Sequence, residues 1–292
     1  MDTFPPYRRI GIIGTGRVAS AIGLSLAGHS IEPLVLWGRT PANSAATSAA
    51  IGRARPMPRI VDIAATCDLI VLAVADDALK ACIHELSAAP TPTSPLVFHV
   101  SGQSGAAILS PLTALGWLTA AIHPAMTFTG DPQAEVQSMV GARFGVTGST
   151  PQANAAARAI VSRLGGVPVE VSEESRPLYH AALCHGANHL VTLIAGACEA
   201  LTAAGVDDPA ALLAPLVRTA LENSLSKGMM GLSGPLLRGD EETIGGHLSA
   251  LRKDCPPLFP PYQAMALATL DALERSNGTA QSACRSMLGE AR

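Results

Sequence analysis

Three groups of residues in this chain could do chemistry. The first is Gly14-Thr15-Gly16-Arg17-Val18-Ala19, which follows an apolar run over residues 9–14. In a GxGxxA turn the first glycine permits a tight exit from a strand. The second lets a pyrophosphate approach the backbone, and the alanine keeps the following helix close to the sheet. Free N–H groups at the helix N-terminus then hold the anion. A strand before the turn and a helix after it are the context the motif requires. Gly14, Thr15, Gly16, Arg17 and Val18 are therefore assigned to a dinucleotide. The second group decides which one. The next apolar run ends Leu36-Trp37-Gly38-Arg39-Thr40, where an NAD site would place a carboxylate on the ribose hydroxyls. Glycine stands there instead, Arg39 can pair with a 2′-phosphate, and Thr40 can add a hydroxyl. This pattern favours NADP over NAD; the competing reading makes Arg39 a solvated loop residue.

The third group lies where later strands should end, since ligands of open α/β sheets sit beyond the C-terminal strand ends. Val74-Ala75-Asp76-Asp77 follows one such strand, so Ala75 is expected beside the adenosine half. Asp77 could equally be the N-cap of a helix starting at Ala78. Ser101 ends the next strand and is expected near the nicotinamide ribose, or else in a cap or turn. His123-Pro124 ends the one after. An imidazole there could orient a carbonyl or imine or give it a proton; alternatively it is tied to backbone in a proline-stiffened turn.

The elements that must position these residues read as alternating strands and helices through about residue 170. Strands are expected near 9–14, 34–37, 68–74, 96–100, 119–122, 143–147 and 168–171, with helices near 17–27, from 42, 78–86 and 105–115. The run Asp68-Leu-Ile-Val-Leu-Ala-Val74 is apolar enough for a parallel strand covered on both faces. Such alternation implies an α/β fold, a doubly wound Rossmann domain over residues 1–172. Helical segments near 175–204, 208–228, 240–252 and 260–288 then form an all-helical dehydrogenase-type C-terminal domain over 173–292. The stretch TPTSP at 91–95 is read as a loop, as is SGPLLRGD at 233–240.

Composition narrows the classes. The 292 residues are 48% hydrophobic and 15% charged, with a net charge of −3. A length of this kind suits two domains, and nothing in the charge advertises a nucleic-acid partner. Six cysteines lie without a CxxC pair and no apolar signal core opens the chain, so reduced thiols and a cytoplasmic location are expected. The apolar stretch 190–206 carries Glu199 and is expected as a buried helix rather than a membrane span.

The order GxGxxA, WGRT, DLIVLAV, strand-HP and helical tail resembles a bacterial family that pairs a Rossmann-like domain with a helical C-terminal domain of unassigned role. The tail motifs carrying the resemblance are Tyr179-His180-Ala181-Ala182, Asn188 and Leu232-Ser233-Gly234-Pro235 with Arg238-Gly239-Asp240. In plan the family is similar to pyrroline-5-carboxylate reductase, ketopantoate reductase and the β-hydroxyacid dehydrogenases. That resemblance implies hydride transfer from NADPH to a C=O or C=N bond of a small keto or imino acid, and homodimers built through the helical domain. Two of these relatives use Lys-x-x-x-Asn on the first long helix. Asn188 fits the asparagine, but Cys184 stands at the lysine and cannot be a cationic acid at neutral pH. His180, one turn earlier on the same face, is the alternative proton donor beside His123. Ser233 and Gly234 stand where pyrroline-5-carboxylate reductase has its substrate loop, although the glycine order differs.

Arg238 is the expected anchor for a substrate carboxylate, with an intramolecular pair to Asp240 or Glu241 as the competing reading. His185 and His189, four apart on a helix, could share a ligand face, but no carboxylate completes metal-like spacing, so no metal is expected. The rival function is a non-catalytic NADP-binding sensor or scaffold.

Overall fold

The computed structural model describes residues 6–89, 94–278 and 280–290. Residues 91–93 of the TPTSP stretch, and most of the segment before the first strand, lie outside them. Two compact units divide at Cys184, inside a long helix.

The first unit is an eight-stranded sheet in the order β3-β2-β1-β4-β5-β6-β7-β8. Its strands are β1 (Ile10–Ile13), β2 (Leu34–Trp37), β3 (Ala54–Pro56), β4 (Leu69–Leu72), β5 (Leu96–His99), β6 (Leu118–Pro124), β7 (Arg143–Gly148) and β8 (Val167–Glu170). Neighbours pair parallel except β6 and β7, where His123 faces Gly145 across an antiparallel ladder. Between the strands run α1 (Arg17–Leu26), α2 (Pro41–Ile51), α3 (Ile60–Thr66), α4 (Asp76–Ser87), the short α5 (Ser110–Thr113), α6 (Pro132–Met139) and α7 (Pro151–Arg163).

The period-two alternation of the central strands sorts the core to both faces of the sheet. Leu69 and Val71 pack with Ile10, Ile12, Ile22 and Phe98 on one side. Ile70 and Leu72 pack with Ile13, Ile63, Leu79 and Trp117 on the other. Chain order reverses between β1 and β4, and such a switch point opens a crevice at the C-terminal strand ends.

Three departures from the expected elements have plain causes. The segment RARPMPR holds β3, which was not among the expected strands; a sheet edge tolerates its proline because the ladder there is one-sided. The helix expected to start at Ala78 starts at Asp76. Its N-cap is Ala75, with no side-chain cap bond, so Asp77 is not the cap. The expected 105–115 helix is a turn of 3-10 helix at Ala106–Leu109 followed by α5.

The second unit is helical. The long α8 (Arg176–Ala203) enters it, followed by α9 (Pro209–Lys227), the single turn α10 (Pro235–Arg238), α11 (Glu241–Asp254), α12 (Phe259–Asn277) and α13 (Ser282–Glu290). The segment expected as one helix over 260–288 is broken by Gly278, whose φ of +70° gives the left-handed stop that glycine adopts freely. Ile244, Leu248, Leu270, Leu273 and Leu288 form the core, so burial gathers on α11, α12 and α13. The stretch 190–206, expected as a buried helix, is instead exposed or half-exposed throughout. Its apolar side chains have no place in a core built by the other three helices. Among the described residues, α8 is the one helix long and apolar enough to cross a membrane. All six cysteines are free thiols.

Candidate active site

The glycine turn sits at the switch point. Gly14 has φ +129°, and a Cβ there would lie 2.1 Å from the Ala73 carbonyl oxygen, so the first glycine is forced by the strand beside it. A Cβ on Gly16 would meet nothing within 4 Å. That free space over a helix N-terminus is the room an anion needs to reach the backbone. Gly38 has a different reason. A Cβ at that position would lie 2.3 Å from Thr15 Cγ2 and 3.0 Å from Ser44 Oγ. The missing carboxylate at the end of β2 therefore makes room for the threonine of the glycine turn.

These residues line a groove of about 450 Å³ with Trp37, Arg39, Asn43, Val74, Ala75, Ala78 and Glu85. Gly14, Thr15, Gly16, Arg39 and Ala75 thus share one groove. Arg39 is exposed, and among the described residues no carboxylate lies within ion-pairing distance of it. The remaining cofactor candidates lie off the groove walls. Arg17 donates to the Phe128 carbonyl at 3.1 Å, Val18 packs on the core, and Thr40 is the exposed residue before α2. Ser101 is buried. Its Oγ accepts from the Ser104 N–H at 3.1 Å, which leaves its own hydrogen free to donate.

At the ends of β5 and β6 the chain gathers imidazoles. His123 Nδ1 is 3.0 Å from the Tyr179 hydroxyl. The His123 and His180 rings meet edge-on at 5.9 Å. Both lie over Gly102, where a Cβ would be 2.9 Å from His123 Nε2 and 2.5 Å from His180 Cδ2. Burial, with the neighbouring His180 and Arg176, pushes the His123 pKa down to about 4. The ring is therefore a neutral hydrogen-bonding group at pH 7. His180 Nε2 also stands 3.6 Å from Cys184 Sγ.

Beneath this pair lies Arg176, at 0% exposure. No carboxylate ion-pairs with it among the described residues. It donates from Nε to Thr147 Oγ1 at 2.8 Å, and from Nη2 to the carbonyls of Gly145 at 3.0 Å and Ala121 at 3.2 Å. Backbone oxygens of β6 and β7 thus stand in for an anion. His99 is buried alongside. Its Nε2 donates to the Gly105 carbonyl at 2.8 Å and its Nδ1 accepts from the Ser101 N–H at 3.2 Å. These two bonds fix the neutral tautomer, and burial holds its pKa down to about 4. Glu173 Oε2 accepts from the Ala107 N–H at 3.2 Å and so ties the next loop down.

Arg176, His99 and Glu173 were not among the expected site residues, and Tyr179 entered only as part of a motif. One signal was available for Arg176. A cation in the first turn of a 28-residue helix opposes the helix dipole, so it must serve something other than the helix.

The second unit holds the remaining candidates. Asn188 is exposed on α8. Ser233 is exposed, and Gly234 has φ +100° before the single turn α10. Arg238 is 3.9 Å from Asp240, and Asp240 caps α11 by accepting from the Thr243 N–H. The expected carboxylate anchor is thus loosely engaged by its neighbour. His185 and His189 hydrogen-bond ring to ring at 3.0 Å. Among the described residues no group of three or more potential ligands could hold a metal.

The fold and the strand-end cluster define a Rossmann-like chain with a helical C-terminal region. Comparison with known proteins agrees. Residues 2–124 match the Rossmann-like domain, and residues 142–269 match a domain of unknown function, DUF2520. Solved structures share the whole plan. A candidate NADP oxidoreductase from Bacteroides fragilis superposes with a TM-score of 0.75 at 21% identity, over 90% of this chain and 97% of its own. An imine reductase from Myxococcus stipitatus, in complex with NADP+, gives 0.66 at 16% identity, over 96% and 99%. A pyrroline carboxylate reductase from Plasmodium falciparum, with NADP bound, gives 0.59 at 15% identity, over 97% and 98%. No curated protein matches the chain in sequence.

Proposed function

We propose that this chain is an NADP-dependent oxidoreductase that reduces a C=O or C=N bond of a small, carboxylate-bearing keto or imino acid. The observation that carries the reading is the half-buried His123–Tyr179–His180 cluster. It stands at the C-terminal ends of the same sheet whose switch point forms the dinucleotide groove. The groove's residues fit the cofactor. Gly16 leaves space for the pyrophosphate, Ala75 leaves room beside the adenosine half, and Arg39 has no carboxylate within ion-pairing distance where a 2′-phosphate would lie. Relatives of the same fold solved with NADP support this choice. Bound there, the reduced nicotinamide supplies hydride. The protein's own part is to orient the acceptor and polarise C=X with the hydrogen-bonding groups at Ser101 and His123.

His180 borders the same cluster, and Asn188, Ser233, Gly234 and Arg238 are assigned to the substrate. The exposed apolar faces of α8 and α9, with Val191 at 69%, Leu216 at 66% and Leu225 at 75% exposure, are assigned to a second copy of the chain. Apolar surface of that extent marks an interface.

The test is an NADPH-oxidation screen over 2-keto acids, cyclic imines and aldehydes, run with wild type, His123→Ala, His180→Ala and Asn188→Ala. Turnover lost in these variants with NADPH binding kept is the expected result. Tight NADPH binding with no turnover of any substrate would instead favour the sensor. Light scattering should give twice the chain mass, reduced to one by Leu216→Asp.

A further inference from the structure

We propose that Tyr179 and His123 form a two-link proton relay, with Tyr179 as the positioning residue that holds the His123 imidazole in its Nε2–H tautomer. The proposal rests on the reductase reading for its chemistry but on geometry alone for the tautomer. His123 and Gly145 face each other across the β6–β7 ladder. A Cβ on Gly145 would lie 2.6 Å from the Tyr179 hydroxyl oxygen, so glycine at that register position is what admits the phenol. Burial raises the Tyr179 pKa above its ordinary value, so the side chain is a neutral phenol with one hydrogen to donate. Among the described residues His123 Nδ1, 3.0 Å away, is the one side-chain hydrogen-bond partner of this hydroxyl, so the phenol hydrogen is directed there. A ring nitrogen that accepts cannot also carry hydrogen, so the imidazole proton resides on Nε2. Among the described residues Nε2 has no hydrogen-bond partner, and Gly102 keeps the space against it free of a side chain.

The groups facing His123 make this arrangement one-directional. From α8 come Arg176, Tyr179 and His180; from β5 comes His99; from the start of α4 comes Asp76. The Arg176 guanidinium lies 5.7 Å from the Tyr179 ring centroid, where it disfavours imidazolium and favours phenolate. In the reaction the substrate carbon receives hydride from a reduced nicotinamide, which is oxidised, and the substrate heteroatom X receives one proton from Nε2. The Nε2–H bond breaks as X–H forms. The Tyr179 O–H bond breaks as Nδ1–H forms. The phenolate left behind, beside Arg176, regains its proton from water, and the ring proton shift is reversed as product leaves. Only a neutral C=O or C=N acceptor needs this proton, so the relay selects such acceptors over preformed iminium ions.

The experiment is nitrogen NMR of the full chain labelled with ¹⁵N-histidine, without substrate, with His123→Ala assigning the signal. The expected wild-type spectrum shows a single Nε2–H tautomer that does not titrate from pH 6 to 8. In Tyr179→Phe, with dispersed amide signals confirming the fold, the two tautomers should mix. An Nδ1–H or mixed tautomer in wild type overturns the proposal without recourse to any variant, as does an unchanged tautomer in folded Tyr179→Phe. The tautomer is read whether or not a substrate is known, so absence of turnover would remove the reductase reading while leaving the positioning role intact. With a substrate in hand, Tyr179→Phe should lower kcat about 100-fold with KM little changed. An unchanged kcat would remove the relay.

Discussion

Arg176→Met removes the guanidinium but keeps an unbranched chain of similar reach, so it isolates what the buried cation holds together. Three acceptors lose a close donor: Thr147 Oγ1 and the carbonyls of Ala121 and Gly145. The contact to the Ser101 carbonyl, at 3.5 Å, is at the limit of a hydrogen bond and counts for little. Each buried acceptor that loses a partner costs about 1–3 kcal/mol, toward the lower end for the Ala121 and Gly145 carbonyls, which keep their place in the β6–β7 ladder. Against that, a buried cation without an anion is expensive to desolvate, and replacing it with an apolar group recovers part of the sum. The net expectation is a loss of about 2–4 kcal/mol. Arg176→Lys should fall between the two, because a single ammonium cannot serve a hydroxyl and carbonyls on two strands at once. Both tryptophans, Trp37 and Trp117, lie in the first unit, so urea unfolding followed by their fluorescence reports that unit alone. Arg285→Met, which breaks exposed pairs in the second unit, serves as the control and should leave the tryptophan transition unmoved. An Arg176→Met chain as stable as wild type would refute the claim that these carbonyls depend on the guanidinium.

The same unit should be acid-sensitive. The folded pKa of His99, about 4, lies below its unfolded value, so its contribution is complete above about pH 6.5 and is lost as pH falls toward 4. The loss is on the order of 3 kcal/mol, read as a falling urea midpoint that His99→Gln should make shallower but not flat, since His123 carries a similar shift. The two glycines of the turn should separate folding from binding. Gly14→Ala, strained at φ +129° and driven into Ala73, should cost more than about 2 kcal/mol of stability. Gly16→Val should leave the urea midpoint nearly unchanged yet abolish NADPH binding by calorimetry. Arg39→Ala should weaken NADPH binding by about 10- to 100-fold and leave NADH within twofold, because only the 2′-phosphate contact is lost. Equal losses for both cofactors would place Arg39 elsewhere.

The glycine turn and the groove around it were legible because their signals are local. Glycine spacing, a strand before and a helix after all fall within a dozen neighbouring residues, and Gly38-Arg39 follows on the next strand. The strand-end histidine His123 could be placed by the same logic. Its partners could not, because they come from far along the chain. Tyr179 reaches His123 only because β7 runs antiparallel and presents a glycine opposite, a register that no short motif records. Arg176 was hidden for another reason. Charged side chains are ordinarily solvated, and backbone carbonyls replacing an anion leave no trace in residue types. The second unit's mismatch is physical too: an apolar helix reads the same whether its own chain or another molecule covers it.

On the NADP reading proposed above, the packing of Thr15 against Gly38 makes cofactor preference a property of two loops rather than one. A carboxylate cannot enter at position 38 until the methyl of Thr15 has left. A lineage moving toward NAD would therefore have to change the pyrophosphate turn first, before any benefit at the ribose could be felt. The order of the two changes matters, and each is disfavoured alone, as expected for residues in direct contact. On that NADP reading, the preference of this chain is guarded by a threonine that need not touch the phosphate.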